Sequence, residues 1–344
     1  MTIQTLPTEM HAVGYRFAHP IEKATLADII LPTPTPDDDD LLVEVKAVSV
    51  NPVDVKIRGH VDASEGQHKV LGWDAAGIVR QVGRHVTGFQ PGDRVWYAGA
   101  LDRPGSNGQF QCVNAKIASA MPKTLSFADA AAMPLTALTA WELLFDRLKA
   151  GLEPESSTLL IVGAAGGVGS VLTQLAKQLS SLTVIGTASR PESQAWVKEM
   201  GADHVIDHGQ LLQPQLDALG VEAVTHVASL NHTEAHLDQL VDCLIPQGKL
   251  ALIDDPEQLD IRKLKSKSIS LHWEFMFTRS LFSTADMYQQ HVILANVAKL
   301  VDQGVLKSTA SHQLTGLNAA NLILAHQAVE SGRTIGKYVI ADKV

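Results

Sequence analysis

The 344-residue chain is poor in the features that mark several protein classes. It has two cysteines, Cys112 and Cys243, too few for a disulfide framework and not spaced as a Cys-x-x-Cys metal pair. No apolar run approaches the ~18 residues of a membrane span. The opening stretch MTIQTLPTEMHAVG lacks the basic start and apolar core of a secretory leader. These absences point to a cytoplasmic protein with no membrane partner. Excess positive charge is missing as well, since 28 Lys and Arg stand against 37 Asp and Glu, a formal charge of −9. Nucleic-acid partners are not expected, because binding to a phosphate backbone runs on clustered cations. The one basic run, RKLKSK at 262–267, reads as a solvated face, and the four aspartates at 37–40 read as an exposed turn.

What is present is enough apolar sequence, 45% of residues, to fill the cores of two ordinary domains. The first third reads mostly as strands. Residues 41–50, 76–82 and 94–98 alternate apolar with polar residues, separated by Gly83, Gly88, Pro91, Gly92 and Asp93, which suggests a β-barrel-like unit. Near residue 126 the pattern changes. Ser126 can cap a helix, and helix formers continue over 136–149. From residue 158 onward, strands at 158–163, 182–188, 205–208, 223–228 and 249–254 alternate with helices at about 167–179, after Pro191 and near 233–243. Alternation at that spacing predicts a doubly wound parallel sheet, so the fold class is α/β. A strand at 268–277, a helix at 284–303 and a strand at 334–340 complete the chain.

The most informative stretch is LLIVGAAGGVGSVLTQLAK, residues 159–177. A buried strand enters a glycine turn and a helix leaves it, the context in which backbone N–H groups and a helix N-terminus meet a pyrophosphate. Gly166 gives the phosphates close approach, and Gly169 lets the helix pack on the strand. Ala164 replaces the first glycine of the strict G-x-G-x-x-G, with Gly163 and Gly167 keeping the turn permissive. At the end of the second strand, NAD enzymes place a carboxylate on the ribose diol. Here Ser189 and Arg190 stand instead, and a guanidinium suits a 2′-phosphate, so NADPH is the expected cofactor. A solvent-facing arginine is the alternative at that position.

Together with AVSVNPVDVKIRG (47–59), VLGWDAAGIVRQVG (70–83), FQPGDRVW (89–96) and AAMPLTALTAW (131–141), the glycine turn resembles the medium-chain dehydrogenase/reductases. Within them it is similar to quinone oxidoreductases and the "zinc-type alcohol dehydrogenase-like" proteins. The resemblance implies a GroES-like β-barrel catalytic domain from residues 1–130 and 281–344. It implies a Rossmann NADP-binding domain at 131–280 and a cofactor cleft between the two. By motif alignment, the positions of the catalytic zinc ligands hold Asn51, Trp73 and about Ala132, and the four-cysteine lobe of a structural zinc is missing. Asn, Trp and Ala do not supply the thiolate or imidazole that zinc needs, so no metal site is expected. The i,i+4 pair His232 and His236 lacks an identified third ligand.

Carried over position by position, the resemblance implies that Gly166, Gly167 and Val168 meet the pyrophosphate and that Ser189 with Arg190 meets the 2′-phosphate. It implies Thr136 facing the nicotinamide and His208 standing where quinone oxidoreductases carry a Tyr near the adenosine phosphate. Lys337 matches a basic residue that reaches the phosphates, with an exposed strand-end lysine as the alternative. Asn51, Lys56 and Trp73 fall on the loops of the acceptor pocket, Asn51 as a donor and Trp73 as an apolar wall, with Asn51 also near the cofactor. No single catalytic acid is implied, and Asp54 is expected to fix its own loop. Without zinc the oxygen of a simple carbonyl loses its Lewis acid. Hydride delivery to a quinone or an α,β-unsaturated carbonyl, which spreads the developing charge, is therefore the expected reaction. The rival readings are a zinc-dependent alcohol dehydrogenase, an enoyl or enone reductase, and an NADPH-binding protein with a crystallin-like or RNA-binding role. The apolar strand 268–277 suggests a homodimer, since an open edge invites pairing.

Overall fold

The protein is described here from a computed structural model that covers residues 6–21, 26–151 and 157–342. Residues 1–5, on which part of the leader reading rests, lie outside the described residues. The chain divides into two compact units, residues 1–135 with 277–344, and residues 136–276.

In unit one, β1 (Glu9–Tyr15) and β2 (Ala27–Pro32) pair antiparallel. They are followed by β3 (Asp40–Ser49), α1 (Pro52–His60), the two-residue β4 (Lys69–Val70), β5 (Ala75–Val82) and β6 (Arg94–Tyr97). Next come β7 (Phe110–Asn114), β8 (Ala118–Ala120) and α2 (Phe127–Ala131), whose cap Ser126 accepts from the Asp129 N–H. The strand β3 is nearly continuous in burial because it sits mid-sheet, hydrogen-bonded to β5 and, over its first half, to β7. Its run of Leu, Val and Ala therefore packs on both faces, as central strands do.

The helix α3 (Pro134–Trp141) leads into unit two and runs on as one stretch of π-helix, Glu142–Arg147. Unit two then alternates β9 (Thr158–Val162), α4 (Gly167–Leu179), β10 (Thr183–Thr187), α5 (Pro191–Glu199), β11 (His204–Ile206), α6 (Leu212–Ala218), β12 (Val224–Ser229), α7 (Thr233–Cys243), β13 (Leu244–Leu252) and β14 (Ser270–Trp273). The strand order is β11-β10-β9-β12-β13-β14, every pair parallel. That order is the doubly wound arrangement, which reverses beside the first strand and leaves a crevice at the carboxyl ends. Leu160, Val162, Ile185, Val227, Leu237 and Leu250 form part of the apolar layer between this sheet and its helices.

The chain returns to unit one through α8 (Thr278–Leu281), α9 (Gln289–Asp302), β15 (Ala310–Thr315), α10 (Ala319–Glu330) and β16 (Lys337–Ala341). Strand β16 pairs antiparallel with β3, so the last strand closes onto the strand that precedes α1.

Three elements differ from the sequence reading. The expected strand 268–277 is shorter, ending at Trp273, and the buried side chain of Glu274 pairs with Arg147 at 2.7 Å. The helix expected from residue 284 begins at Gln289. Residues 52–60, read as a loop, form α1. Asn51-Pro52-Val53-Asp54 carries the start signals of a helix, an Asn cap, a Pro at the first position and an acid at the third.

Candidate functional site

In unit two the buried strand β9 delivers the chain to Gly163, whose φ of +80° lies in the left-handed region that favours glycine. A Cβ there would also meet the Asn231 side chain at 2.8 Å. The Gly163 N–H donates to Thr187 Oγ1 at 3.1 Å, and the Ala164 N–H to Thr187 O at 3.3 Å, which ties the turn to the end of β10. At Gly169 a Cβ would lie 2.6 Å from the Ala164 backbone, so only glycine lets α4 lean on the strand end. At Gly166 the space is open, and a Cβ would meet nothing nearer than Gly163 O at 3.6 Å.

Gly166 caps α4 without any side-chain hydrogen bond, and Ser170 is the residue whose N–H returns to Gly166 O, at 2.9 Å. The N–H groups of Gly167, Val168 and Gly169 therefore belong to the unsatisfied first turn of a helix. Residues 165–168 are half-buried, so the Gly167 and Val168 donors lie at a reachable surface, while Gly169 is buried. An uncapped helix start over a cradle that a side chain would fill suits a pyrophosphate, by dipole and by donor count. The residues present fit a dinucleotide.

Around that turn the neighbouring strand ends bring further groups. Ser189 is exposed, and half-buried Arg190 caps α5, its N–H donating to Ser193 Oγ at 3.2 Å. The guanidinium pairs with exposed Glu192 at 3.2 Å. Glu192, on α5 two residues past Arg190, is a carboxylate beside that guanidinium. His208 follows β11, with Nδ1 3.1 Å from Thr187 Oγ1 and its ring edge-on to His236, centroids 6.1 Å apart. Thr136 is buried on α3.

Unit one holds a different kind of polar assembly. The Lys337 ammonium is 4% exposed and donates to Val50 O at 3.1 Å, to Asp74 Oδ2 at 3.1 Å and to Asn51 Oδ1. Asn51 Nδ2 donates to the same Asp74 oxygen at 2.8 Å, and Ser49 Oγ does so at 2.9 Å. The other Asp74 oxygen accepts the Leu135 N–H at 2.7 Å. Beside them Asp54 accepts the Asn51 N–H at 2.8 Å through one oxygen, and its second oxygen has no partner. Burial pushes the Asp54 carboxyl up to about 7, against the opposing pull of the Asn51 N–H and Lys337.

This assembly bears on three expectations. Lys337 is no exposed strand end, because β16 turns it inward onto two side-chain acceptors and a carbonyl. Asn51 has its amide bonded to Asp74 and Lys337 in the interior. Trp73 is a core residue, donating its indole N–H to Ala100 O at 3.0 Å and meeting Phe277 edge-on. Lys56 is exposed on α1, apart in environment from buried Asn51 and Trp73. The members that the sequence reading left out, Ser49 and Asp74, were signalled by an Asp inside GWD, four residues past Val70 in an otherwise apolar stretch. Among the described residues no three His, Cys, Asp or Glu side chains are grouped so as to hold a metal ion, and no helix is long and apolar enough to cross a membrane.

Residues 37–136 match the alcohol dehydrogenase GroES-like domain family, and residues 200–340 match the zinc-binding dehydrogenase family. Over 336 residues the chain is 38% identical to a zinc-type alcohol dehydrogenase-like protein of Staphylococcus aureus (strain MSSA476), covering 96% of this chain and 99% of the relative. The chain belongs to the medium-chain dehydrogenase/reductase superfamily. A solved structure from Rhizobium etli CFN 42, grouped with the zinc-dependent alcohol dehydrogenases, is 50% identical at a TM-score of 0.95, covering 98% of this chain and 99% of that one. The Escherichia coli quinone oxidoreductase complexed with NADPH is 25% identical at a TM-score of 0.80, covering 96% and 99%. This member of the superfamily is thus an oxidoreductase built from a GroES-like and a Rossmann-like part.

Proposed function

We propose that this chain is a cytoplasmic, zinc-independent, NADPH-dependent reductase that delivers hydride to a quinone or an α,β-unsaturated carbonyl. Unit two is its nucleotide part and unit one its catalytic part. The observation that carries the reading is Lys337. Where zinc relatives gather ligands around a cation, this chain offers Asn51, Trp73 and Ala132, and a lysine ammonium already satisfies Asn51 and Asp74. Asn, Trp and Ala do not supply the thiolate or imidazole of a zinc site, and a simple ketone without a Lewis acid loses several kcal/mol of charge stabilisation. A conjugated acceptor needs less electrophilic help. The likeness to a quinone oxidoreductase that binds NADPH supports the same reading.

Bound NADPH would supply the hydride. The chain's own part is to hold the pyrophosphate at Gly166, Gly167 and Val168, at the uncapped start of α4, and to meet the 2′-phosphate with Ser189 and Arg190. Thr136 supports the nicotinamide end and His208 the adenosine end. On the acceptor side we assign Lys56 to the pocket rim and Asn51 and Trp73 to its support, since both are buried and bonded inside unit one. A reduced quinone or enolate can take its proton from solvent. We further propose a homodimer through the sheet edge at β14, beside which Trp273 is 52% and Phe275 45% exposed. Light scattering on the full chain reads that state.

The deciding assay follows loss of the dihydronicotinamide absorbance on chelator-treated protein, with phenanthrenequinone or a simple enone, and NADPH against NADH. Turnover that favours NADPH and ignores added zinc is the expected result. Turnover that appears only with zinc and an alcohol would overturn it, and tight NADPH binding with no acceptor turned over would point to the non-catalytic role.

A further inference from the structure

A cavity in unit one lies apart from the residues assigned to cofactor and acceptor. Its volume is about 150 Å³, and its wall includes Asp102, Arg103, Gln111, Cys112, Asn114 and Met287. Asn51, Lys56 and Trp73 are not part of that wall, and every wall residue belongs to unit one. Residues 111–114, the end of β7, supply one side. That strand pairs with β3, and among the described residues no other strand pairs with it. The turn after β6 and the stretch from α8 toward α9 supply most of the rest.

Gln111 is the group in this wall whose hydrogen bonding is incomplete. Its side chain is buried, and Nε2 donates to Pro104 O at 2.9 Å. That bond fixes the amide orientation and makes Oε1 the acceptor end. Oε1 has no hydrogen-bond partner, and a buried acceptor left unmet is a cost that a donor removes. Asn114 is oriented the opposite way. Its Oδ1 accepts the Lys116 N–H at 2.9 Å, so its NH2 is the end left to donate.

Charge and size narrow the ligand class. Among the described residues of the wall Arg103 is the one cation, and its two terminal nitrogens hold both oxygens of buried Asp40, one at 2.8 Å. Exposed Asp102 opposes an anion. A neutral molecule that gives one hydrogen bond and takes another is the match. An apolar cavity of this volume holds a benzene ring. Cys112 and Met287 bring sulfur side chains to the wall, and sulfur packs favourably at aromatic ring edges. Burial first, and then Asp40, pushes the Cys112 thiol up to about 12, so it serves as a wall and not as a nucleophile.

We propose that this cavity is a second ligand site, for a monocyclic phenol. The phenol O–H donates to Gln111 Oε1, the Asn114 NH2 donates to the phenol oxygen, and the ring lies against Cys112 and Met287. The site does not depend on the reductase reading.

The test titrates the full chain into 4-fluorophenol and follows the fluorine resonance, with 4-fluoroanisole and glycerol as comparison probes. One 4-fluorophenol should bind per chain, with Kd about millimolar or tighter. 4-Fluoroanisole keeps the ring and loses the O–H, so it should bind about tenfold more weakly. Glycerol at the same concentration should displace neither. Gln111→Leu should weaken 4-fluorophenol about tenfold and leave 4-fluoroanisole unchanged. Met287→Trp, which fills the cavity from a half-buried position, should abolish binding of both. On the wild type, 4-fluorophenol should slow the alkylation of half-buried Cys112 by iodoacetamide, read by mass spectrometry, with buried Cys243 as the internal reference. That readout needs no variant, so a poorly folded one does not remove the test. Equal binding of the two fluorinated rings would overturn the hydroxyl contact, and displacement by glycerol would overturn the ring. Unprotected Cys112 would put the ligand elsewhere and sink the site. Displacement by NADPH or by phenanthrenequinone would assign the ligand to the reductase site and equally overturn the inference.

Discussion

The two units each carry a polar assembly at a glycine- or tryptophan-marked motif, and the two differ in what they do with their donors. In unit two the start of α4 leaves the N–H groups of residues 167–169 without a cap, over an open cradle at Gly166. In unit one the ammonium of Lys337, the amide of Asn51, the hydroxyl of Ser49 and both oxygens of Asp74 are bonded to one another or to backbone. The first keeps its donors unspent, as a ligand would need them, and the second has its donors spent on one another and on backbone. Residue type alone does not separate these cases. A lysine in a Gly-Lys strand start and an arginine after a strand look alike in sequence, and the structure sends one inward and leaves the other at the sheet's carboxyl edge.

Lys337→Met would break the closed assembly hardest. Removing one partner of a buried ion pair leaves the Asp74 carboxylate uncompensated, a loss of about 3–5 kcal/mol. Urea unfolding followed by tryptophan fluorescence should show that loss, with Trp73 and Trp96 buried in the same unit. A loss under about 1 kcal/mol would mean that the ammonium is not balancing Asp74. The open assembly should fail differently. Gly166→Val adds a side chain where the protein has room and the pyrophosphate needs it, so NADPH affinity should fall about a hundredfold, roughly 2.7 kcal/mol, with melting little changed. Gly169→Val should instead lower the melting temperature, because its side chain would meet the Ala164 backbone at 2.6 Å. Equal melting losses in both variants would erase the distinction between a cradle and a packing contact.

The Rossmann part was largely legible in the sequence. An apolar run such as 158–162, followed by a turn and a helix and then repeated, has a spacing that a doubly wound parallel sheet satisfies, although the order of its strands is not written in that alternation. The glycines were legible for the same reason, since Gly163 and Gly169 answer to backbone geometry within a few residues. The inward turn of Lys337 was not, because it depends on pairing between Val339 and Ser49, 290 positions apart in the chain. Nor was the meeting of His208 with His236, which needs α7 to pack beside the loop after β11. Helix α1 could have been read: the cap, proline and acid at 51–54 are local signals, and the family resemblance of the same residues drew attention to their role instead of their geometry.

Within unit one, two buried titratable groups set up a smaller contrast that pH can expose. Asp54 is raised to about 7 by burial. Its contribution to stability is complete below the unfolded value near 3.8 and is lost as pH rises through 7. His326 is pushed down to about 3 by burial first and then by Arg58, whose guanidinium donates to its Nδ1 at 3.0 Å. Its contribution is complete above the unfolded value of 6.5 and is lost as pH falls toward 3. Over the range between, the two slopes oppose, and each hides the other in the wild type. Asp54→Asn keeps an oxygen to accept the Asn51 N–H and cannot ionise. Relative to the wild type it should gain on the order of 2–3 kcal/mol between pH 5 and pH 8, uncovering the opposite slope of His326. Unfolding free energies of both proteins across that range measure the gain directly. A constant offset between them would mean that Asp54 stays ionised in the folded protein, and that Lys337 serves both carboxylates of the closed assembly, not Asp74 alone.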